Sequence, residues 1–572
     1  MKVLFSALHH AYFRNFESVI RELAARGHQV HLAADEVEAP VSMGGRELAE
    51  RLSAEFPGVT WDLMPPLDEE PWFDAARKLR LGLDYVRVLE PRYAGAPKLR
   101  LRTHDRAPRV VRWAAAVPGI GQPLTAAALK RAERLMPRSE RLQEYLRGQK
   151  PDVVVLTSLT YSRSQQLDVL KAARALKVPV AAAIMSWDHL SSKALVHLAP
   201  DMVLVWNETQ RQEAVELHGV PADRLVITGA QCYDQWFNRG PERSRADFCR
   251  AMGLRDDKPF ALWVHSALSP TPEPPEPVLV ARWIEALRKS GDPRLRDLGV
   301  LVRPHPERAK EWVGIDLSRF ENVAFYGSNP IDQRSKSDYY DALYHSSAVI
   351  GLVTSAFLEA AIVGRPVFTF TLPEYRVHQE EMAHFRYLTQ IGGGLLRTAP
   401  DIETHFGQLA EVVGAPAERD DRNRRFLSAF VRPAGLDVPA TPAFADAIER
   451  LYREGTRPDA SLEQHAWLRP VVASAARAAG TDVGRWLMQD IREDVWDEQR
   501  SRKREIVTAK QSAKVERQRA KEQRKASRQR RERVMRGGKR VKSALMTCRY
   551  YVATAAHRAL ALAGLERGRG PT

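Results

Sequence analysis

Short, uninterrupted apolar runs separated by stretches of helical period recur over the first 450 residues, and residues 338–370 show the pattern at its plainest. Within DYYDALYHSSAVIGLVTSAFLEAAIVGRPVFTF, the runs 349–353 and 367–370 are too short for amphipathic helices and are bounded by turn residues. That predicts parallel strands covered on both faces. Between them Thr354 and Ser355 open a helix over 356–363, with Gly364 at its end and Pro366 just beyond. A helix entered from a strand through small hydroxyl residues offers unpaired N–H groups and a positive dipole end, which suits an anion. With Ser355 as N-cap, the capping-box position is Leu358, so the Glu359 carboxylate is spare for a ligand hydroxyl.

The same alternation starts at the N-terminus. A strand at 2–8 leads through His9-His10-Ala11-Tyr12 to a helix with Phe16, Val19, Ile20 and Leu23 on one face, and Gly27 precedes a second strand at 29–33. This βαβ opening lacks the Gly-x-Gly-x-x-Gly fingerprint, and Gly119-Ile120-Gly121 follows no strand, so NAD and FAD are excluded as expectations. Residues 72–89 and 126–146 have helical spacing, whereas the Arg-rich connection 92–112 gives no clear period; helices inserted at about 65–150 are expected. From Pro151 strands are predicted at 153–156, 180–184, 202–205 and 225–227, with helices at 164–176 and 209–217. Residues 229–237 read as a crossing to a second unit. It begins with a strand at 260–264 ending in His265-Ser266, then a proline-rich extended loop at 270–277 and a helix at 278–288. Strands follow at 300–302 and 323–326, and closing helices at 402–413 and 443–452.

Length and charge refine this layout. A chain of 572 residues exceeds a single core. The expected division is 1–237, 238–455 and a helical, strongly basic tail at 456–572. The net charge of +16 belongs to the tail: residues 501–542 carry 18 Lys and Arg against 4 Glu, leaving 69 basic and 67 acidic groups elsewhere. Beside that run, residues 543–565 are rich in Ala, Leu and Tyr, the composition of an interfacial anchor attracted to anionic lipid. A solvated tail is the alternative. Nucleic acid is disfavoured because no aromatics interleave the run 502–540. Trp467, Trp486 and Trp496 precede the run and are expected to pack on the main body. Cys232, Cys249 and Cys548 lack metal-ligand spacing, no apolar run spans a bilayer, and Met1-Lys2 runs straight into a strand. The expectation is a cytoplasmic protein, peripheral at the inner membrane face.

Two features carry a family resemblance. The strand–Thr354-Ser355–helix unit with its spare Glu359 resembles the nucleotide-donor half of GT-B glycosyltransferases, which pair two Rossmann-like α/β domains. The turn Arg303-Pro304-His305-Pro306, stiffened by its prolines, is similar to that of CDP-glycerol glycerophosphotransferases and related polymer transferases of the same fold. The resemblance implies an α/β protein of two facing Rossmann-like domains with parallel sheets, the first for the acceptor and the second for the donor. It implies that Glu359 binds ribose and that Thr354, Ser355, Arg303 and His305 meet phosphate, and His265 and Ser266, at the end of a neighbouring strand, are expected to bind the donor with them. For the acceptor proton the candidates are His10, His9 and Asp188; inverting relatives place a histidine after the first strand.

The histidine-rich glycine box of plant-type enzymes and the Glu-x7-Glu pair of many retaining ones are absent, so stereochemistry stays open. No Asp-x-Asp stands where GT-A enzymes hold a divalent ion, and metal-independent transfer without a cofactor is expected. The leading expectation is transfer of a sugar from a nucleotide-sugar to a cell-surface glycan or lipid-linked acceptor. The alternatives are CDP-glycerol-type transfer, nonhydrolysing sugar-nucleotide epimerisation and a non-catalytic binding protein with a polybasic tail.

Overall fold

The computed structural model describes residues 1–35, 45–162, 164–268, 271–327, 329–330, 332–413, 421–457, 466–491, 542, 545–556 and 558–559. Two parallel sheets organise it. The first contains β1 (Lys2–Ala7), β2 (Gln29–Ala34), β3 (Val59–Leu63), β4 (Val153–Leu156), β5 (Val180–Ala183), β6 (Met202–Val205) and β7 (Leu225–Ile227), in the order 3-2-1-4-5-6-7. The second contains β8 (Phe260–Val264), β9 (Gly299–Arg303), β10 (Val323–Phe325), β11 (Ala348–Gly351), β12 (Val367–Phe370) and β13 (Leu396–Ala399), in the order 10-9-8-11-12-13. Both are doubly wound, reversing between β1 and β4 and between β8 and β11, where Val3 pairs with Val153 and Val349 with Leu262. Strand order reversal splits the adjoining loops to opposite faces and opens a crevice at the carboxyl edge. This is the expected α/β architecture of two Rossmann-like lobes with parallel sheets.

Central strands β4, β5, β6, β8, β11 and β12 are buried along their whole length, which is why they read as plain apolar runs. The sequence did not announce the edge strands β3 and β13, whose residues alternate or are polar. Gly351 is required at the end of β11, since a Cβ there would lie 2.7 Å from the Val264 carbonyl.

Between β3 and β4 lies an insertion of helices Phe73–Val88, Pro97–Arg106, Arg109–Ala115, Gly121–Leu135 and Glu140–Gln149. The single helical stretch expected at 126–146 is two helices, parted where Pro137 denies the backbone its donor. The insertion is bolted to the first lobe through charge. Arg80 bonds Glu133 (2.9 and 3.0 Å) and Asp168 (2.7 and 2.8 Å), and Lys171 also donates to Glu133.

The two lobes share an apolar cluster in which Trp187, Trp206, Tyr233 and Trp236 meet Phe357, Leu358, Phe385 and Phe430. Helix Ala440–Glu454, which the sequence division places in the second unit, packs in the core of the first. Its Phe444, Ile448 and Leu451 join Phe16, Ile20 and Leu23. The return is fixed by buried Asp234, which accepts from Arg432 Nη2 (2.6 Å), Thr441 N (2.7 Å) and Ala440 N (3.1 Å).

Residues 491–572 form a separate unit, of which a helix over 545–556 is described, with Leu545, Met546, Tyr550 and Tyr551 exposed. The polybasic run 501–542 lies outside the described residues except Lys542, as does Trp496. Among the described residues, no helix is long and apolar enough to cross a membrane.

Candidate functional site

The carboxyl ends of both sheets open on one cavity of about 420 Å3. Its walls come from the loops after β1 (Tyr12, Arg14), β4 (Tyr161) and β5 (Ser186, His189), and opposite them from β8 (His265), β9 (Arg303, His305) and β11 (Thr354, Ser355, Glu359). Such a volume fits a ligand of nucleotide size. Among the described lining residues Glu359 is the one carboxylate, against Arg14, Arg239, Arg303 and Lys336. The cavity is therefore built for an anion with one acidic contact.

Helix Ala356–Ile362 begins at Ser355 as read, but the capping differs. Ser355 has helical backbone angles and no capping bond; its Oγ accepts instead from the indole of Trp187 in the other lobe at 3.2 Å. Thr354 Oγ1 takes the Ala356 amide at 3.3 Å. One turn along, Glu359 accepts a hydrogen bond from the Tyr339 hydroxyl through Oε2. Burial pushes its carboxyl up to about 7, even though the Tyr339 bond, Arg303 and Arg14 all pull it down.

Arg303 closes β9 with its guanidinium 4.1 Å from the Tyr339 ring centroid. It passes so close to Gly327 that a Cβ there would sit 2.8 Å from Nη1, and Gly327 has φ +142°. Beside it, His305 Nδ1 accepts from the Glu307 amide at 3.2 Å, which places the proton of a neutral imidazole on Nε2. His265 supports that turn: its Nδ1 accepts from the Trp312 indole at 3.1 Å and the His305 amide at 3.4 Å. Burial, then His305 and Arg308, lowers it to about 3. Ser266 stands behind the wall, its Oγ accepting from the Leu352 and Val353 amides at 3.3 and 3.0 Å.

Across the cavity, the three residues expected for proton transfer lie behind its surface. His9 is buried against the Tyr12 ring, tilted by 35° with centroids 4.0 Å apart, and lowered to about 4 by burial and then Arg14 and His10. His10 is wedged edge-on to Trp61 at 5.3 Å and Phe13 at 5.9 Å. Asp188 accepts from Ser186 Oγ and Ser192 Oγ, both at 2.7 Å. Against the upward push of burial, His189, His384 and Lys193 hold its carboxyl well below the usual range. Its neighbour His189 lines the cavity instead, with Nε2 3.3 Å from the Tyr161 hydroxyl. Burial lowers His189 to about 4 despite Asp188 beside it.

Arg14, Tyr161, His189 and Tyr339 were not singled out from sequence. Tyr339 sits inside the segment 338–370, and His189 is one residue from a candidate, so proximity was the available signal. Among the described residues no group of three or more His, Cys, Asp or Glu is placed to hold a metal ion.

No protein-family model matches the chain, and no curated protein matches it. Solved structures with a similar course of chain include the UDP-GlcNAc 2-epimerase of Neisseria meningitidis bound to UDP-GlcNAc (13% identity, 79% of this chain and 100% of that chain, TM-score 0.45). A glycosyltransferase from Rickettsia africae (11%, 79% and 98%, TM-score 0.45) and MurG of Acinetobacter baumannii (15%, 78% and 99%, TM-score 0.38) are similar in the same way. These likenesses are of chain path, at identities too low to carry residue roles across.

Proposed function

We propose that the chain is a GT-B-type glycosyltransferase that moves a sugar from a nucleotide-sugar to a hydroxyl of a cell-surface glycan or lipid-linked acceptor. The observation that carries this reading is the charge of the cavity: four cations and a single, partly engaged carboxylate at the joined carboxyl edges of two parallel sheets. A nucleoside diphosphate has that complement, two phosphates for cations and a ribose diol for a carboxylate.

Glu359 Oε1 is the natural acceptor for the ribose hydroxyls, because Oε2 is taken by Tyr339. Arg303, Arg14 and His305 Nε2–H meet the diphosphate, and Thr354 and Ser355 border it. In the reaction the acceptor oxygen bonds to the anomeric carbon as the bond from that carbon to the diphosphate oxygen breaks. The leaving group's negative charge develops beside Arg303, Arg14 and His305, where fixed positive groups stabilise it without reorganisation. The acceptor proton goes to His189 Nε2 by way of the Tyr161 hydroxyl, which gives up its own proton as it takes the new one. Asp188, anchored by two serines, then faces an imidazolium and stabilises it. His9 and His10 hold the Tyr12 and Arg14 loop from behind.

A thermal-shift screen with UDP, GDP, CDP and dTDP conjugates tests the reading. One conjugate should raise Tm in the wild type, and Glu359→Ala should raise donor KM about tenfold or more. His189→Gln should lower kcat with donor KM unchanged. A chain that no nucleotide conjugate stabilises is not this enzyme. Release of CMP from CDP-glycerol, or acceptor-free epimerisation of the sugar, would replace the reaction while keeping the cavity.

A further inference from the structure

We infer that a second, smaller cavity behind Tyr161 is a subsite for an oxyanion, phosphate or carboxylate, carried by the acceptor. The inference rests on the transferase reading above. This cavity of about 200 Å3 is lined by Asp84, Arg102, Thr103, Arg106, Tyr161 and Lys193, and Tyr161 is shared with the main cavity. Its three cations come from two directions: Arg102 and Arg106 from helix Pro97–Arg106 of the insertion, and Lys193 from the loop after β5. Lys193 Nζ lies 5.3 Å from the Tyr161 ring centroid, so the charge sits directly behind the residue that relays the acceptor proton.

Asp84 is the one carboxylate among the described residues of this lining, and its Oδ1 already accepts the Leu195 amide at 2.7 Å. Burial, then Arg106 and Arg87, push Arg102 down to about 10 against the pull of Asp84 and Asp188, and burial lowers Lys193 with Arg102 and Arg106 adding to it against Asp188. Cations that depress one another are held there by the fold at a cost that an arriving oxyanion relieves. Lys98, lowered to about 8 by burial and then by Arg102 and Arg308, extends the basic lining towards the second lobe, where it meets His378 Nδ1 at 2.9 Å.

The test is titration of inorganic phosphate and, separately, acetate into full-length protein by calorimetry. Binding should survive Arg303→Met, which removes the cation from the main cavity, and fall about tenfold or more in Lys193→Met and in Arg102→Gln. Thermal melts establish that the variants are folded. Binding of either anion at Lys193 supports the subsite and tells which group the acceptor carries. Phosphate and acetate affinities unmoved by both Lys193→Met and Arg102→Gln overturn it. Failure of the transferase reading looks different: no nucleotide conjugate shifts Tm, yet the anion still depends on Lys193.

A different observation carries a second proposal. From Trp113 to Leu129 there is no charged side chain, yet the segment, which joins helices Arg109–Ala115 and Gly121–Leu135, leaves Trp113, Ile120 and Leu124 exposed by 54, 60 and 61%. Its inner face is already satisfied, since Val111, Ala115 and Leu129 pack on Leu83 and Val86. Trp486 lies 5.5 Å from Trp113, and Val483 beside it is 69% exposed, widening the apolar surface. Cations flank the segment: Arg109 and Arg112 before it, Lys130, Arg131 and Arg134 after it. An exposed apolar segment flanked along the chain by cations matches an anionic bilayer, whereas a second copy would oppose like charges. We propose that this segment docks the enzyme on anionic lipid independently of the C-terminal polybasic run.

Full-length protein should sediment with vesicles of phosphatidylcholine and phosphatidylglycerol even at about 0.5 M salt, where attraction by the polybasic run is screened. Ile120→Asp with Leu124→Asp should lower that partition about tenfold or more without moving Tm, because both side chains are exposed. Equal partition of variant and wild type overturns the proposal, as does a variant that loses self-association while its vesicle binding is unchanged.

Discussion

Glu359→Gln should make the protein more stable at pH 8 and leave it unchanged near pH 4.5. The folded carboxyl is raised from 4.5 to about 7 by burial, after the attractions of Tyr339, Arg303 and Arg14 are already counted. The native state therefore holds this proton more tightly than the unfolded chain does. Its favourable contribution is complete below the unfolded value near 4.5 and is lost as pH rises through 7. Above pH 7 the ionised carboxylate costs the folded state about 3 kcal/mol, a term that glutamine lacks. In a chain of this size such a difference moves Tm by about a few degrees, so melts of both proteins at pH 5 and pH 8 without nucleotide suffice. Nucleotide-sugar binding runs the other way. The diphosphate diester does not titrate here, so wild-type affinity should rise between pH 6 and 8 as the Glu359 carboxyl proposed to accept from ribose ionises, and the Gln variant should bind weakly at both. Equal Tm differences at pH 5 and pH 8 would refute the idea that the site keeps a carboxylate at the expense of stability.

Gly327→Ala should cost about 1–3 kcal/mol through its positive φ and weaken nucleotide binding by displacing Arg303 from Tyr339, seen as a fall in both Tm and donor affinity. Arg80→Met leaves Glu133 and Asp168 buried with one cation fewer, at about 3–5 kcal/mol, and limited proteolysis should then cut the insertion first. Asp234→Ala strands Arg432 and the start of helix Ala440–Glu454, again at about 3–5 kcal/mol; a lowered urea midpoint measures it.

What could be read from the chain and what could not divides along physical lines. Strands covered on both faces have no choice but to be apolar, so β4, β5, β8, β11 and β12 stood out. Of the four edge strands, Val59–Leu63 and Leu396–Ala399 carry Thr, Asp and Arg and gave no signal, whereas Leu225–Ile227 and Val323–Phe325 are apolar throughout and were read. The insertion was legible in part. Helical spacing stood out at 72–89 and 126–146, whereas the connection 92–112 gave no period because helix Pro97–Arg106 carries charged side chains at half of its positions, and a helical period is visible only when one face is apolar and the other polar.

At the site, strand-end loops were legible as loops, because ligand contacts in such sheets come from carboxyl ends, but the residue within each loop that faces the cavity was not. Asp188 and His189 show why. A short carboxylate at the start of a turn finds nearby hydroxyls, here Ser186 and Ser192, and is consumed locally. The longer imidazole one residue on has no such partner within its turn and extends to Tyr161. After β1 packing decides instead: His9 lies against Tyr12 and His10 against Trp61 and Phe13, while Tyr12 and Arg14 line the cavity. Glu359 was readable because the reasoning ran the other way: its local backbone had no use for a carboxylate, and a side chain without local employment is available to a partner distant in sequence. That partner is Tyr339, twenty residues back on another helix, and Tyr339 in turn holds Arg303 from a third element. A ligand that engages Glu359 is thereby coupled to the orientation of Arg303, so ribose and phosphate recognition should be lost together when Tyr339 is removed, while a loss confined to either one would separate them.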